Sequence, residues 1–153
     1  MLRIGKMSDY ALLLTNHLVG TTDSLCTTED IVVACRLPLA TVRKLLKKLV
    51  DAQIVNSYRG VRGGYRLARE PKDITIAEVI GAIEGPIALT ECTQLQNDCS
   101  LAADCELRQN WNYLNQMVAT LFSNISLAQM AESVPVSGLV PDRPQEQTFS
   151  FQP

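Results

Sequence analysis

Three cysteines, Cys92, Cys99 and Cys105, fall within "ECTQLQNDCSLAADCEL" at spacings of six and five intervening residues. Their neighbours are polar loop residues, which sets them apart from the buried free thiols common in protein cores. Structural zinc sites favour close pairs such as C-x2-C, a spacing absent here. Thiolates around an iron-sulfur cluster tolerate wider gaps because the ligated object is larger. A thiol-disulfide sensor using two of the three, or three unrelated thiols, are the other readings that the spacing leaves open. Three thiols also leave one position of a four-ligand site without a cysteine.

The second chemical feature is basic. In "PLATVRKLLKKLVDAQ", a 100° step per residue gathers Val42, Leu45, Leu46 and Leu49 within about a 100° arc. Arg43, Lys44, Lys47 and Lys48 stand opposite, with Ala40 near the centre of their face. One side of this predicted helix is core, and the other suits phosphate and base edges. Behind it, "IVNSYR" and "GYRLAR" read as strands joined by "GVRGG", decorated by Arg59, Arg62, Arg66 and Arg69. Such a hairpin is a wing that touches phosphate or minor groove.

Charge supports this division. Residues 1–74 hold 12 Lys+Arg against 7 Asp+Glu, and residues 75–153 hold 2 against 9, so a basic unit of +5 precedes an acidic remainder of −7. The only histidine, His17, lies inside a predicted helix without a nucleophile motif, which argues for a structural role and against an enzyme. Cys26 and Cys35 read as ordinary buried or half-buried thiols. No apolar run reaches the roughly 20 residues that span a bilayer, and nothing resembles a signal peptide, so a cytoplasmic protein with no membrane partner and no small-molecule substrate is expected.

The positioning elements follow from periodicity and caps. Met7, Ala11, Leu14 and Leu18 give a first helix over 7–19 with Ser8 as its cap. Thr27 or Thr28 caps a second helix ending near Cys35, and Leu37 with Pro38 starts the third. Thr75 with Glu78 makes a capping box, Ile74 with Val79 a hydrophobic staple, and Gly85 with Pro86 a stop. Leu107, Trp111, Leu114, Val118, Leu121 and Ile125 keep spacings of 4, 3, 4, 3, 4, a heptad seam that predicts a helix pairing with a second copy. Ser126 with Gln129 caps a last short helix. The fold class is therefore mainly α with a small β-hairpin: a winged helix-turn-helix over 1–85, a cysteine loop over 86–106, a dimerisation helix region over 107–132, and a disordered tail over 133–153.

The order of these parts, with "MSDYALLL", "LATVRKLLKKL", "YRGVRGGYRLAREPKDITIAEVIGAIEG", the three cysteines and "NISLAQM", resembles the winged-helix iron-sulfur transcriptional regulators typified by IscR and NsrR. Within that family it is most similar to regulators of SUF cluster-assembly operons. The resemblance covers about residues 1–132. It implies a homodimer on a palindromic double-stranded DNA operator, a repressor of an iron-sulfur assembly operon, and a [2Fe-2S] or [4Fe-4S] cluster held by Cys92, Cys99 and Cys105. IscR has a histidine three residues beyond its last cysteine, where this chain has Arg108, a group that cannot ligate iron. NsrR takes an aspartate from the first helix of the opposite subunit, and the matching residue is Asp9. The resemblance implies that bases are read by the start of the recognition helix, at positions matching Ala40, Arg43 and Lys44, and by a wing arginine matching Arg59; Thr41, Lys47, Lys48 and Arg62 are the further DNA contacts expected beside them. IscR carries polar or acidic groups where Ala40, Arg43 and Lys44 stand, which implies a different preferred operator. A metal-free thiol-redox regulator and a protein-interaction module whose basic face meets an acidic partner are the alternatives.

Overall fold

A computed structural model describes residues 4–21, 24–93 and 105–132 of the chain. The element order is α1 (Lys6–Val19), α2 (Thr28–Cys35), α3 (Leu39–Asp51), β1 (Val55–Tyr58), β2 (Gly64–Leu67), α4 (Ile76–Glu84), α5 (Arg108–Ser123) and α6 (Leu127–Ala131). Single 3-10 turns at Pro71–Asp73 and Glu91–Thr93 precede α4 and α5 respectively. The expected mainly helical fold with one antiparallel hairpin is what forms, and the 133–153 tail lies outside the described residues.

The apolar faces that periodicity picked out converge on one core. Leu14 and Leu18 of α1, Ile31 of α2, Val42, Leu45, Leu46 and Leu49 of α3, and Val79 of α4 are all 1% exposed or less. Caps fix where the helices begin. Thr27 and Asp30 form a capping box on α2, Thr75 and Glu78 one on α4, and Ser126 and Gln129 one on α6. Ile74 and Val79 are both fully buried, as a staple requires. Between α2 and α3 the chain turns through Arg36, a non-glycine residue at φ 53.

Ser8 is not a cap. Helix α1 begins at Lys6 with Gly5 as its N-cap, and Ser8 is fully buried. Its hydroxyl donates to Oε1 of Glu84 at 2.7 Å, tying the start of α1 to the end of α4. Only a tertiary contact explains a polar side chain at zero exposure there.

The hairpin pairs Val55 with Leu67 and Tyr58 with Gly64. Cys26 pairs with the other edge of β2: its N–H donates to the Tyr65 carbonyl at 3.0 Å, and the Tyr65 N–H donates to the Cys26 carbonyl at 2.8 Å. This approach requires Gly64, because a Cβ there would lie 2.7 Å from the Cys26 carbonyl oxygen. After α5 the chain returns to the same core. The Ile76 N–H donates to Ile125 O at 2.9 Å and the Leu127 N–H to Ile74 O at 2.8 Å, setting the starts of α4 and α6 side by side. Ile125, expected in the heptad seam, is instead 9% exposed and packed in the core of α1 to α4.

Candidate nucleic-acid interface and cysteine segment

Helix α3 divides its two faces as its sequence demands. With Val42, Leu45, Leu46 and Leu49 buried, Ala40, Arg43, Lys44 and Lys47 are exposed and Thr41 is half-buried. No acid occupies its first turn, and Pro38 at its N-cap supplies no side-chain hydrogen bond to the leading N–H groups. Those donors and the cations along the stripe make this helix attractive to phosphate. Lys48 departs from the stripe: it is half-buried, and its Nζ donates to the carbonyl of Ile83 near the end of α4. A cation at that carbonyl opposes the negative end of α4, so Lys48 has a structural bond to satisfy before any ligand.

The wing arginines also separate. Arg59 and Arg62 are exposed on the loop between the strands. Arg66 stacks over the Tyr58 ring, Cζ 4.9 Å from its centroid, and its Nε donates to the Tyr58 hydroxyl at 3.0 Å. Arg69 is committed elsewhere, donating to Asp73 O at 2.8 Å and to Glu78 Oε1 at 2.6 Å. Burial works to raise the Glu78 pKa, but the Thr75 N–H, Arg69 and the Thr75 hydroxyl together hold it below its ordinary value. Arg69 is thus a clamp between the hairpin and α4. Sequence reading missed Arg36, an exposed cation in the α2–α3 turn; its neighbours Leu37 and Pro38 marked the turn without marking the residue.

Burial and backbone pairing explain the two isolated thiols. Cys26 is 5% exposed and its Sγ donates to Thr21 Oγ1 at 3.0 Å, with His17 Nε2 at 4.0 Å. His17 therefore packs beneath the wing, in keeping with a structural role. Cys35 is 8% exposed, and burial pushes its thiol pKa up, away from the reactive thiolate.

Of the three clustered cysteines, Cys105 is half-exposed at the approach to α5, where its carbonyl accepts from the Arg108 N–H at 3.2 Å. Cys92 lies on the 3-10 turn Glu91–Thr93, while its side chain and all of Cys99 are outside the described residues. Among the described residues no group of three His, Cys, Asp or Glu gathers closely enough to hold a metal. What positions the segment is Asn115 of α5, which the sequence reading did not single out. Its Nδ2 donates to Ile87 O and its Oδ1 accepts from the Leu89 N–H, both at 3.0 Å, pinning the chain just before Cys92 to the helix just after Cys105. Thr93 completes the turn, its hydroxyl donating to Thr90 O at 2.8 Å.

Asp9 is exposed in the first turn of α1, one turn from the exposed Leu13 on the same face, and its carboxylate has no partner among the described residues. Helix α5 buries none of its residues. Leu107, Trp111, Leu114, Val118 and Leu121 lie within about an 80° arc. Leu107, Trp111, Leu114 and Leu121 are 37 to 57% exposed, and Met117 and Tyr113 widen the apolar face to one side. No helix among the described residues is long and apolar enough to cross a membrane.

Comparison with known proteins agrees with this architecture. An HTH-type transcriptional regulator of Synechocystis is 38% identical over 94 residues, 61% of this chain and 63% of that one. IscR of Vibrio campbellii is 32% identical over 94 residues, so each match spans less than two thirds of the relative, 55% in the latter case. The structure of CymR, the global cysteine regulator of B. subtilis, superposes with a TM-score of 0.69 at 26% identity, covering 88% of this chain and 100% of that one. These are transcriptional regulators rather than enzymes. The family model described as an iron-dependent transcriptional regulator matches residues 4–133, and the chain belongs to this family, Rrf2.

Proposed function

We propose that the protein is a cytoplasmic, homodimeric DNA-binding repressor whose three clustered cysteines hold an iron-sulfur cluster, and that its operator controls an iron-sulfur assembly operon of the SUF type. The observation that carries the reading is the donor set: three thiols in one polar segment, with an exposed carboxylate at Asp9 that has no partner among the described residues, on a face that also exposes Leu13. Three thiolates and one oxygen suit a [2Fe-2S] or a [4Fe-4S] cluster, and the oxygen is the weaker ligand. Such a cluster supplies a centre whose integrity reports oxidants, iron or cluster supply.

The chain's own residues do the rest. Arg43, Lys44 and Lys47 of α3, with Arg59 and Arg62 of the wing, neutralise phosphates, and Ala40, Thr41, Arg43 and Lys44 face base edges from the start of the recognition helix. The α5 seam from Leu107 to Leu121 joins two copies, so that each presents one winged helix to half of a palindrome. Cys92, Cys99 and Cys105 of one copy, with Asp9 of the other, would hold the cluster and so tie the two subunits together. Bridging biases the relative placement of the two winged helices, to which half-site spacing makes DNA binding sensitive. Asn115 holds the cysteine segment to α5 throughout.

The test is the visible spectrum, with iron and acid-labile sulfide analysis, of protein purified without oxygen. Charge-transfer bands with matched iron and sulfide are expected, lost in Cys99→Ala and altered in Asp9→Ala. A colourless protein that also fails anaerobic reconstitution overturns the cluster. The likeness to the B. subtilis global cysteine regulator favours one second reading, a metal-free thiol sensor on the same DNA-binding dimer. It requires DNA affinity to change with peroxide and to recover with a dithiol.

A further inference from the structure

The wing carries a side chain that phosphate neutralisation does not use. Val61 stands at the hairpin apex with a relative exposure of 107%, between Arg59 and Arg62. The apex is held in place. Gly60 takes φ 116, the Gly63 N–H donates to the Gly60 carbonyl at 2.9 Å, and below them Tyr58 pairs with Gly64 under the stacked Arg66. On its other edge β2 is bonded to Cys26, which ties the wing to the core. A β-branched side chain is stiff about χ1, so little freedom is lost when it is buried against a partner. Nothing within the described chain covers it.

We propose that Val61 is an apolar minor-groove contact that seats the wing tip and biases the operator toward A·T pairs beneath it. Its chemistry matches that groove: the walls are deoxyribose C–H surface, and only a G·C pair adds a protruding amino group to the floor. Flanking cations fit the negative potential of a narrow A·T groove, and apolar side chains are a recurrent device of minor-groove binders. The two arginines bring the positive charge that a narrow A·T groove attracts, and Val61 adds an apolar shape that the protruding amino group of a G·C pair would obstruct. This rests on the DNA-binding reading above.

The experiment selects 30-base-pair duplexes from a random pool with the wild-type protein, then measures affinity against salt for Val61→Ser, Val61→Ile and Arg59→Ala. Each is tested on the selected duplex and on one with G·C pairs replacing A·T at the wing position. Val61→Ser should bind the selected duplex about three- to tenfold more weakly with an unchanged salt slope, and should lose most of the A·T preference. Val61→Ile should retain both, and Arg59→Ala should lower the salt slope by about one. The proposal is overturned if Val61→Ser matches wild type on both duplexes. It is equally overturned if that variant weakens both alike with a reduced salt slope, since the residue would then act only by placing arginines. A wild-type protein that selects no duplex at all would instead remove the DNA-binding reading. Because Val61 is fully exposed, unfolding temperatures of its variants should equal that of wild type.

Discussion

Helices α3 and α5 are both amphipathic, yet they sit in opposite situations. On α3 the apolar face is closed by the chain itself, with Val42, Leu45, Leu46 and Leu49 at 1% exposure or less, and the outer face carries the cations. On α5 no residue is buried, the apolar arc faces outward, and the opposite side is uncharged: Gln109, Asn112, Gln116, Thr120 and Ser123. The same helical period therefore marks a finished core in one region and an unfinished surface in the other. What separates them is whether another element of the same chain lies over the apolar stripe. Contiguous exposed apolar stripes mark interfaces more often than ordinary protein exteriors.

The strongest way to break that contrast is to truncate the centre of each stripe. Leu45→Ala should cost about 2–5 kcal/mol, read by urea unfolding, and the loss should not depend on protein concentration. Leu114→Ala should leave each protomer folded while shifting sedimentation toward monomer, with any fall in apparent stability growing on dilution. A concentration-independent loss at Leu114 would place α5 in the chain's own core and end the comparison.

Ile125 sharpens it. The heptad spacing assigns it to the same face as Leu121, but it packs with the core, and its carbonyl accepts from Ile76. Ile125→Ala should therefore cost about 2–4 kcal/mol of protomer stability and leave the association constant alone, whereas Leu121→Ala should do the reverse. Equal effects of both on association would restore Ile125 to the seam.

These residues show how much was legible beforehand. The α3 faces and the capping boxes at Thr75 and Ser126 are local: they depend on spacing and on side chains within four residues of their partners, so sequence displays them, and the two strands of the hairpin were legible from their runs and the glycines between them. Lys48, Arg69, Ser8 and Asn115 were not legible, because each is defined by a partner across the fold: Ile83 is 35 residues from Lys48, Glu84 76 from Ser8, and Ile87 28 from Asn115. Arg69 is instructive, since nine residues separate it from Glu78, enough to cross from strand to helix and change a surface cation into a clamp. The cysteines were conspicuous as residue types, while their arrangement depends on a segment largely outside the described residues.

The smallest effect comes from charge, and it too divides the two regions. Glu78 anchors the start of α4 to the wing through Arg69, and its carboxyl pKa is held below its ordinary value, whereas Arg108–Ser123 contains no carboxylate at all. A depressed folded-state pKa means that the unfolded chain takes up the proton more readily. The stabilisation is thus present above the unfolded value of about 4.3 and disappears as pH falls through the folded one. With its side chain 39% exposed, and Arg69 at 42%, solvent screening should keep the contribution below about 1 kcal/mol. Urea unfolding of wild type and Glu78→Gln should therefore differ slightly at pH 7 and converge as pH falls through the folded-state pKa, while sedimentation of the two proteins stays alike at pH 7. A difference that persists unchanged into acid would show that the hydrogen bonds, which the amide partly keeps, outweigh the charge. The α4 clamp would then be a matter of shape, like the α5 surface, and no longer its electrostatic counterpart.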